Sequence, residues 1–281
     1  MTATPHILTV GGRRGGTELV HLLRDRRDWW QHLSTPVLLL AVVNFLADDG
    51  TVSGTAIPMS HLMITGFVSF SVFATGLINL PQILAGERED GTLLRMRTVP
   101  GGMATYLTAK AVFVAGLAMF NVVVLFGGGV LLFSVPLPTT AGGWLTLAWV
   151  LVLSFLAITP LGAAIGAVLP NPRQALAFVM LPVMGMMVIS GIFFPTAALP
   201  EAVQWVARAF PLMWTAQGVR AALLPEALTV GWQSWQALPV LGAWTVGGAL
   251  LTPWVLARTA RRESGSRLRT RRHRTSQRAG Y

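Results

Sequence analysis

Apolar residues in this chain gather into long charge-free runs instead of alternating with polar ones. A helix needs about 20 mostly apolar residues to cross a hydrocarbon core, so cutting the runs at their turn residues predicts the spans. The first covers Trp29 to Ala47 and is closed by Asp48-Asp49-Gly50. The second is the best window of an uncharged stretch, about His61 to Leu84. Residues 111–172 carry no charge and are too many for one helix; Val135-Pro136-Leu137-Pro138 divides them into spans near Ala111 to Phe133 and Trp144 to Leu169. Pro170-Asn171-Pro172-Arg173 is the next tight turn, followed by a fifth span at Gln174 to Phe194 and a sixth at Leu238 to Ala257. The expected fold class is all-α and integral to a membrane. It comprises six transmembrane helices, an N-terminal interfacial helix, a short polar helix between spans two and three, and an outer helical hairpin between spans five and six.

Composition narrows the function classes. Of 281 residues, 53% are hydrophobic and 11% charged, with a mean hydropathy of +0.60, whereas soluble domains are about a quarter charged. A soluble enzyme is excluded, and one membrane domain over 1–281 is expected, its end (258–281) a basic tail. With no cysteine, disulfides, thiolate metal sites and cysteine nucleophiles are excluded. Nineteen of the 21 basic residues fall in the N-terminal segment, the second-to-third connection, the fourth-to-fifth turn and the tail, leaving Arg208 and Arg220 on the other side. By the positive-inside rule both termini are cytoplasmic. The first 28 residues hold no apolar core long enough for a cleavable signal peptide.

The spans hold no Asp, Glu, Lys or Arg, which weighs against a carrier driven by protons through an intramembrane carboxylate. Lys110, the one lysine, sits between alanines rather than in a phosphate-cradling G-x-x-x-x-G-K-[ST] loop. The five histidines are scattered, with no H-E-x-x-H. Hence no catalytic residue, metal site or bound cofactor is expected, and the chain is not expected to be an enzyme.

The densest polar segment is Glu87-Arg88-Glu89-Asp90-Gly91-Thr92-Leu93-Leu94-Arg95-Met96-Arg97. Its acidic residues come first and its arginines last, the order that suits the dipole of one short helix. The run E-R-E-D-G-T-L, then a proline, then Tyr106-Leu107-Thr108-Ala109-Lys110 leading into a span, resembles the permease subunits of ABC-2-type exporters. A second similar region is Ser190-Gly191-Ile192-Phe193-Phe194-Pro195, with Leu199-Pro200, Phe210-Pro211-Leu212-Met213-Trp214 and Val219-Arg220 after it. The resemblance is strongest to the drug-resistance type. It implies that Glu87, Arg88, Glu89, Asp90, Gly91, Thr92 and Leu93 dock on a separate cytoplasmic ATP-binding cassette ATPase, which carries the ATP and Mg. It also implies a second permease copy, identical or paralogous; the substrate does not transfer with the likeness, and the uncharged spans suit export of an amphipathic drug, antibiotic or lipid-like solute across the plasma membrane of a bacterial cell.

On a helical wheel Leu19, Leu22, Leu23, Trp29, Trp30 and Leu33 share one arc opposite Glu18, His21, Arg24, Asp25 and Asp28, the pattern of an interfacial amphipathic helix. The tail's nine arginines are read as contacting anionic lipids, not nucleic acid. After the fifth span, Leu199, Val203, Val206 and Phe210 form an apolar stripe, and Met213 to Leu224 forms a second short helix with Trp214 and Arg220. With Pro195, Pro200 and Pro211 these make either a half-inserted hairpin at the outer exit or an interfacial lid. Asn79 and Gln82 are the preferred pathway residues, with Thr75 and Asn121 beside them. Gly162, Ala163, Gly166 and Ala167 are small enough for close helix approach. A self-sufficient ion-driven transporter and a non-transporting membrane scaffold or immunity protein remain the alternatives.

Overall fold

The computed structural model describes residues 3–47, 50–52, 55–99, 101–169, 171–193, 199–224, 235–252 and 254–255. The basic tail, Pro195 and Pro100 lie outside them. The described residues are helical, with a single antiparallel bridge between Thr51 and Pro58.

Helix α1 (Ala3–Arg24) ends with His21 and Arg24 in its last turn, where cations suit the carbonyl end of the dipole. Asp25 separates it from α2 (Arg26–Leu46), which contains Pro36. The predicted amphipathic helix is therefore two helices, and its apolar arc is divided: Leu19 and Leu22 belong to α1, Trp29 and Trp30 to α2. Leu22 is buried, but Leu23 and Trp30 are exposed. Far from lying alone, α1 runs alongside the first half of α6 (Gly102–Phe133), in the most extensive helix pairing of the described fold. Gly15 makes this possible, since a Cβ there would fall on the Ala109 carbonyl.

Helix α3 (Met59–Ala74) passes without a break through a π-helical turn, Thr75–Asn79, into α4 (Leu80–Glu89). The Leu80 N–H bonds Thr75 O, five residues back. The next donor in that register would be Pro81, which has no N–H, so the wide turn accommodates a proline inside a long helix. This composite helix is the centre of the bundle: 83% of its most apolar window is buried, against 22–39% for the other three long apolar helices.

Gly91, in the left-handed conformation (φ 78°), turns the chain into α5 (Thr92–Arg97). This corrects the expectation of one helix with acidic residues first, because Glu87 and Glu89 close α4 and only Thr92 onward forms the short helix. Helix α6 begins at Gly102, nine residues before the predicted span. At 1.5 Å per residue its 32 residues extend about 48 Å, against a hydrocarbon core of about 30 Å. Apolar counting finds only the uncharged part; the extra turns carry Tyr106 and Lys110.

Thr140 Oγ1 accepts the Gly143 N–H (3.1 Å) at the start of α7 (Ala141–Val168), and Asn171 Oδ1 accepts that of Gln174 (2.9 Å) at the start of α8 (Pro172–Ile189). Two short helices follow, α9 (Glu201–Ala209) and α10 (Pro211–Leu223), and residues 235–252 form α11. Among the described residues, four helical stretches are long and apolar enough to cross a membrane: Met59–Glu89, α6, α7 and α8. The apolar part of α2 is shorter, His32–Leu46. Outward leucines such as Leu131 and Leu181, 84% and 81% exposed, would be costly in water and are at home against lipid.

Helix α10 is nearly all buried, packed on α7 and α3, so the second half of the outer segment is a core element and not a lid. At α9 three of the four stripe residues, Leu199, Val203 and Phe210, are partly covered. The fourth, Val206, is exposed and Ala207 is the buried residue, because Trp205 and Val206 both face outward.

Candidate functional site

Two features combine polar chemistry with burial. The first is a charge cluster at the end of the bundle where α4 meets α5. Lys110, 6% exposed, places Nζ 2.5 Å from Glu87 Oε1 and 2.6 Å from Glu18 Oε2. The Tyr106 hydroxyl donates to Glu87, and Arg14 Nε pairs with Glu18 at 3.3 Å. Two cations and two carboxylates balance, so the cluster is neutral while tying α1, α4 and α6 together. Arg14 also reaches Met96 Sδ (3.4 Å) on α5.

Its neighbours in the polar run divide their tasks. Arg88 Nη1 donates to Ala167 O (2.9 Å), closing a last-turn carbonyl of α7. Glu89 and Asp90 point outward, Gly91 supplies the turn, and Thr92 starts α5. The run thus begins with two residues anchored to α6 and α7, Glu87 and Arg88, and continues with two left accessible, Glu89 and Asp90. The side chain of Leu93 lies outside the described set. Sequence reading put Glu18 on a solvated face and Lys110 in a loop. Both are instead at the centre of the cluster, and the solitary lysine preceding an uncharged run was the available signal.

The second feature is a cavity of about 240 Å³ in the middle of the bundle, walled by α2, α3, the π turn, α6 and α8. Its apolar lining includes Leu39, Phe70, Ile78, Leu125, Met180 and Met184, and its polar lining is His32, Thr35, Ser71, Thr75, Asn79 and Asn121. Three of the four predicted pathway residues, Thr75, Asn79 and Asn121, meet here. Gln82 does not, because its side-chain amide bonds Ile78 O of its own helix (3.1 Å). Asn121 Nδ2 donates to Thr75 Oγ1 (3.3 Å), and Asn121 Oδ1 is buried without a partner, an arrangement worth about 1–3 kcal/mol of unrelieved cost. A second cavity of about 250 Å³ on the other side of α8 is lined by apolar residues including Phe73, Leu77, Val183, Phe210 and Trp244. Two adjacent compartments, one amphipathic and one apolar, flank one helix.

At the opposite end, Arg220 is buried and donates to Gly191 O. Burial pushes its pKa down to about 10, which leaves it cationic at neutral pH. Trp214 Nε1 bonds Arg208 O and Trp244 Nε1 bonds Ala209 O, both at 2.8 Å, so two indoles close the carbonyl end of α9. Trp214 was singled out from sequence; Trp244, 35 positions beyond Ala209, gave no local signal. Pro200 caps α9 and Pro211 opens α10.

A family model described as ABC-2 type transporter matches residues 17–224, which takes in Glu18, Glu87, Tyr106 and Lys110 of the charge cluster, the mid-bundle cavity and α10, and leaves out Arg14 and Trp244. No match to a curated protein is found.

Proposed function

Since the chain belongs to the ABC-2 type transporter family, a family of multi-pass membrane permeases, we propose that it is the membrane subunit of an ATP-driven exporter. It crosses the plasma membrane of a bacterial cell six times, with α2 and α11 as first and last spans and both termini in the cytoplasm. Two copies, or one copy and a paralogue, assemble with two ATP-binding cassette subunits that bind the ATP and Mg. The cargo is an amphipathic solute of the drug, antibiotic or lipid-like type.

The observation that carries this reading is the continuity of α3, the π turn and α4. One unbroken helix has the cavity at its middle and Glu89 and Asp90 exposed at its end. From Asn79 to Glu87 is eight residues, about 12 Å of helix. ATP-driven closure of the partner subunits would press on α5 and the accessible acids. The cluster around Lys110 would pass that displacement to α1 and α6 together, and the π turn would carry it to the cavity wall. Alternating access then follows from a shift between two packings of the same helices.

Crosslinking native membranes and purifying the tagged chain in mild detergent tests the proposal. A P-loop ATPase should come with it near one to one and be lost in Glu89→Arg, which reverses an exposed charge without touching the cluster. Recovery of the intact chain with no ATPase after crosslinking would favour an ion-driven carrier or a scaffold.

A further inference from the structure

Among the described residues, the side chains around the mid-bundle cavity include no Asp, Glu, Lys or Arg. What the wall formed by Ser71, Thr75 and Asn121 offers is set by hydrogen bonds already made. The Ser71 hydroxyl donates to Val68 O and the Thr75 hydroxyl to Ser71 O, both at 2.7 Å. Their protons are spent on their own helix, so each presents oxygen lone pairs. Thr75 Oγ1 in turn accepts from Asn121 Nδ2. With the Thr75 proton committed to Ser71 O, that bond turns the amide nitrogen toward Thr75 and the oxygen away from it. Asn121 Oδ1 is therefore an acceptor with no donor, on a residue 7% exposed.

From this arrangement we infer that the cavity binds a neutral amphipath whose polar end is a hydrogen-bond donor, a hydroxyl or amide N–H, received by Asn121 with Ser71 beside it. The inference rests on the exporter reading for its role in transport, but not for binding itself. The apolar body lies against Phe70, Leu125, Met180 and Met184. Closed off from solvent in this state, Oδ1 is reached when the solute parts the side chains around it. Phosphate and carboxylate head groups are disfavoured there, because an acceptor-only anion meets acceptors at Ser71, Thr75 and Asn121 Oδ1 and finds no Lys or Arg among the described lining residues. An alkylammonium fits the acceptors but lacks a carboxylate to offset its desolvation. Among the cargo classes proposed above, hydroxyl- or amide-bearing drugs and antibiotics are selected over phospholipid-like solutes.

The full chain in phosphatidylcholine nanodiscs, without ATPase, can be photolabelled with a diazirine analogue of 1-decanol and with the matching analogue of decyl phosphate. The alcohol should label α3 and α8 residues of the cavity wall, about tenfold above the phosphate. Asn121→Leu should lower alcohol labelling about fivefold, the loss expected for one neutral hydrogen bond. Asn121→Asp should restore binding and extend it to the decylammonium analogue. Ser71→Ala, which removes an acceptor at the cost of one small group, is the second variant if Asn121→Leu misfolds. Equal labelling by alcohol and phosphate overturns the inference, as does labelling unaffected by either variant. Selective labelling in a chain that captures no ATPase would keep the site and remove the exporter reading; the converse result would do the reverse.

Discussion

Lys110 shows how much a single residue can carry when its surroundings are apolar. Its ammonium has a side-chain exposure of 7% and two carboxylate partners that are 25% and 28% exposed. Removing Lys110 leaves Glu87 with the Tyr106 hydroxyl alone and Glu18 with Arg14 alone, at a cost below the ~3–5 kcal/mol of breaking a fully buried pair because both carboxylates are partly exposed. Lys110→Met should therefore lower the thermal unfolding midpoint in detergent markedly. Adding Glu18→Gln and Glu87→Gln to it should recover most of the loss. A midpoint unmoved by Lys110→Met would mean that the cluster is not a structural tie. The same logic explains why Glu87 is a poor residue for testing partner docking while Glu89 is a good one: they are two positions apart, but one faces α6 and the other faces outward.

At the scale of elements, the composite helix Met59–Glu89 is packed by close approach to α7. A Cβ on Gly162 would fall on the Gly76 carbonyl oxygen, in the π turn next to Pro81. Gly162→Val should destabilise the protein by about 1–3 kcal/mol through overpacking, read as a lower unfolding midpoint. Gly185→Ala in α8 is the contrast, since a Cβ there meets nothing within 4 Å. It should be neutral, or stabilising by up to about 1 kcal/mol through helix propensity. Similar losses at both glycines would show that the close approach of α7 to the π turn at Gly162 has no special weight. The small residues near Gly162 were visible in sequence, but their partner was not. Nothing local says which helix a glycine faces.

For the whole molecule, the central helix is enclosed while the other three long helices keep wide apolar faces, α8 above all. In a membrane those faces meet lipid or a second subunit with little cost. On the proposed assembly, native mass spectrometry of the crosslinked complex should give the mass of two permease-type chains and two ATPases. A single permease chain with its ATPase would show that the cavity of one protomer suffices. Apolar runs and the E-R-E-D-G-T-L pattern made the helical membrane class and the family resemblance legible, and the match over residues 17–224 agrees with the family. Those signals are local or compositional, and the hydrophobic length a bilayer demands is written along the chain. Hydropathy could not show that Lys110 belongs to a helix, that Glu18 and Glu87 converge on it, or that Asn121 is held by Thr75 46 positions away with its oxygen free. Those facts depend on which helix faces are turned toward one another, and side-chain packing in three dimensions decides that.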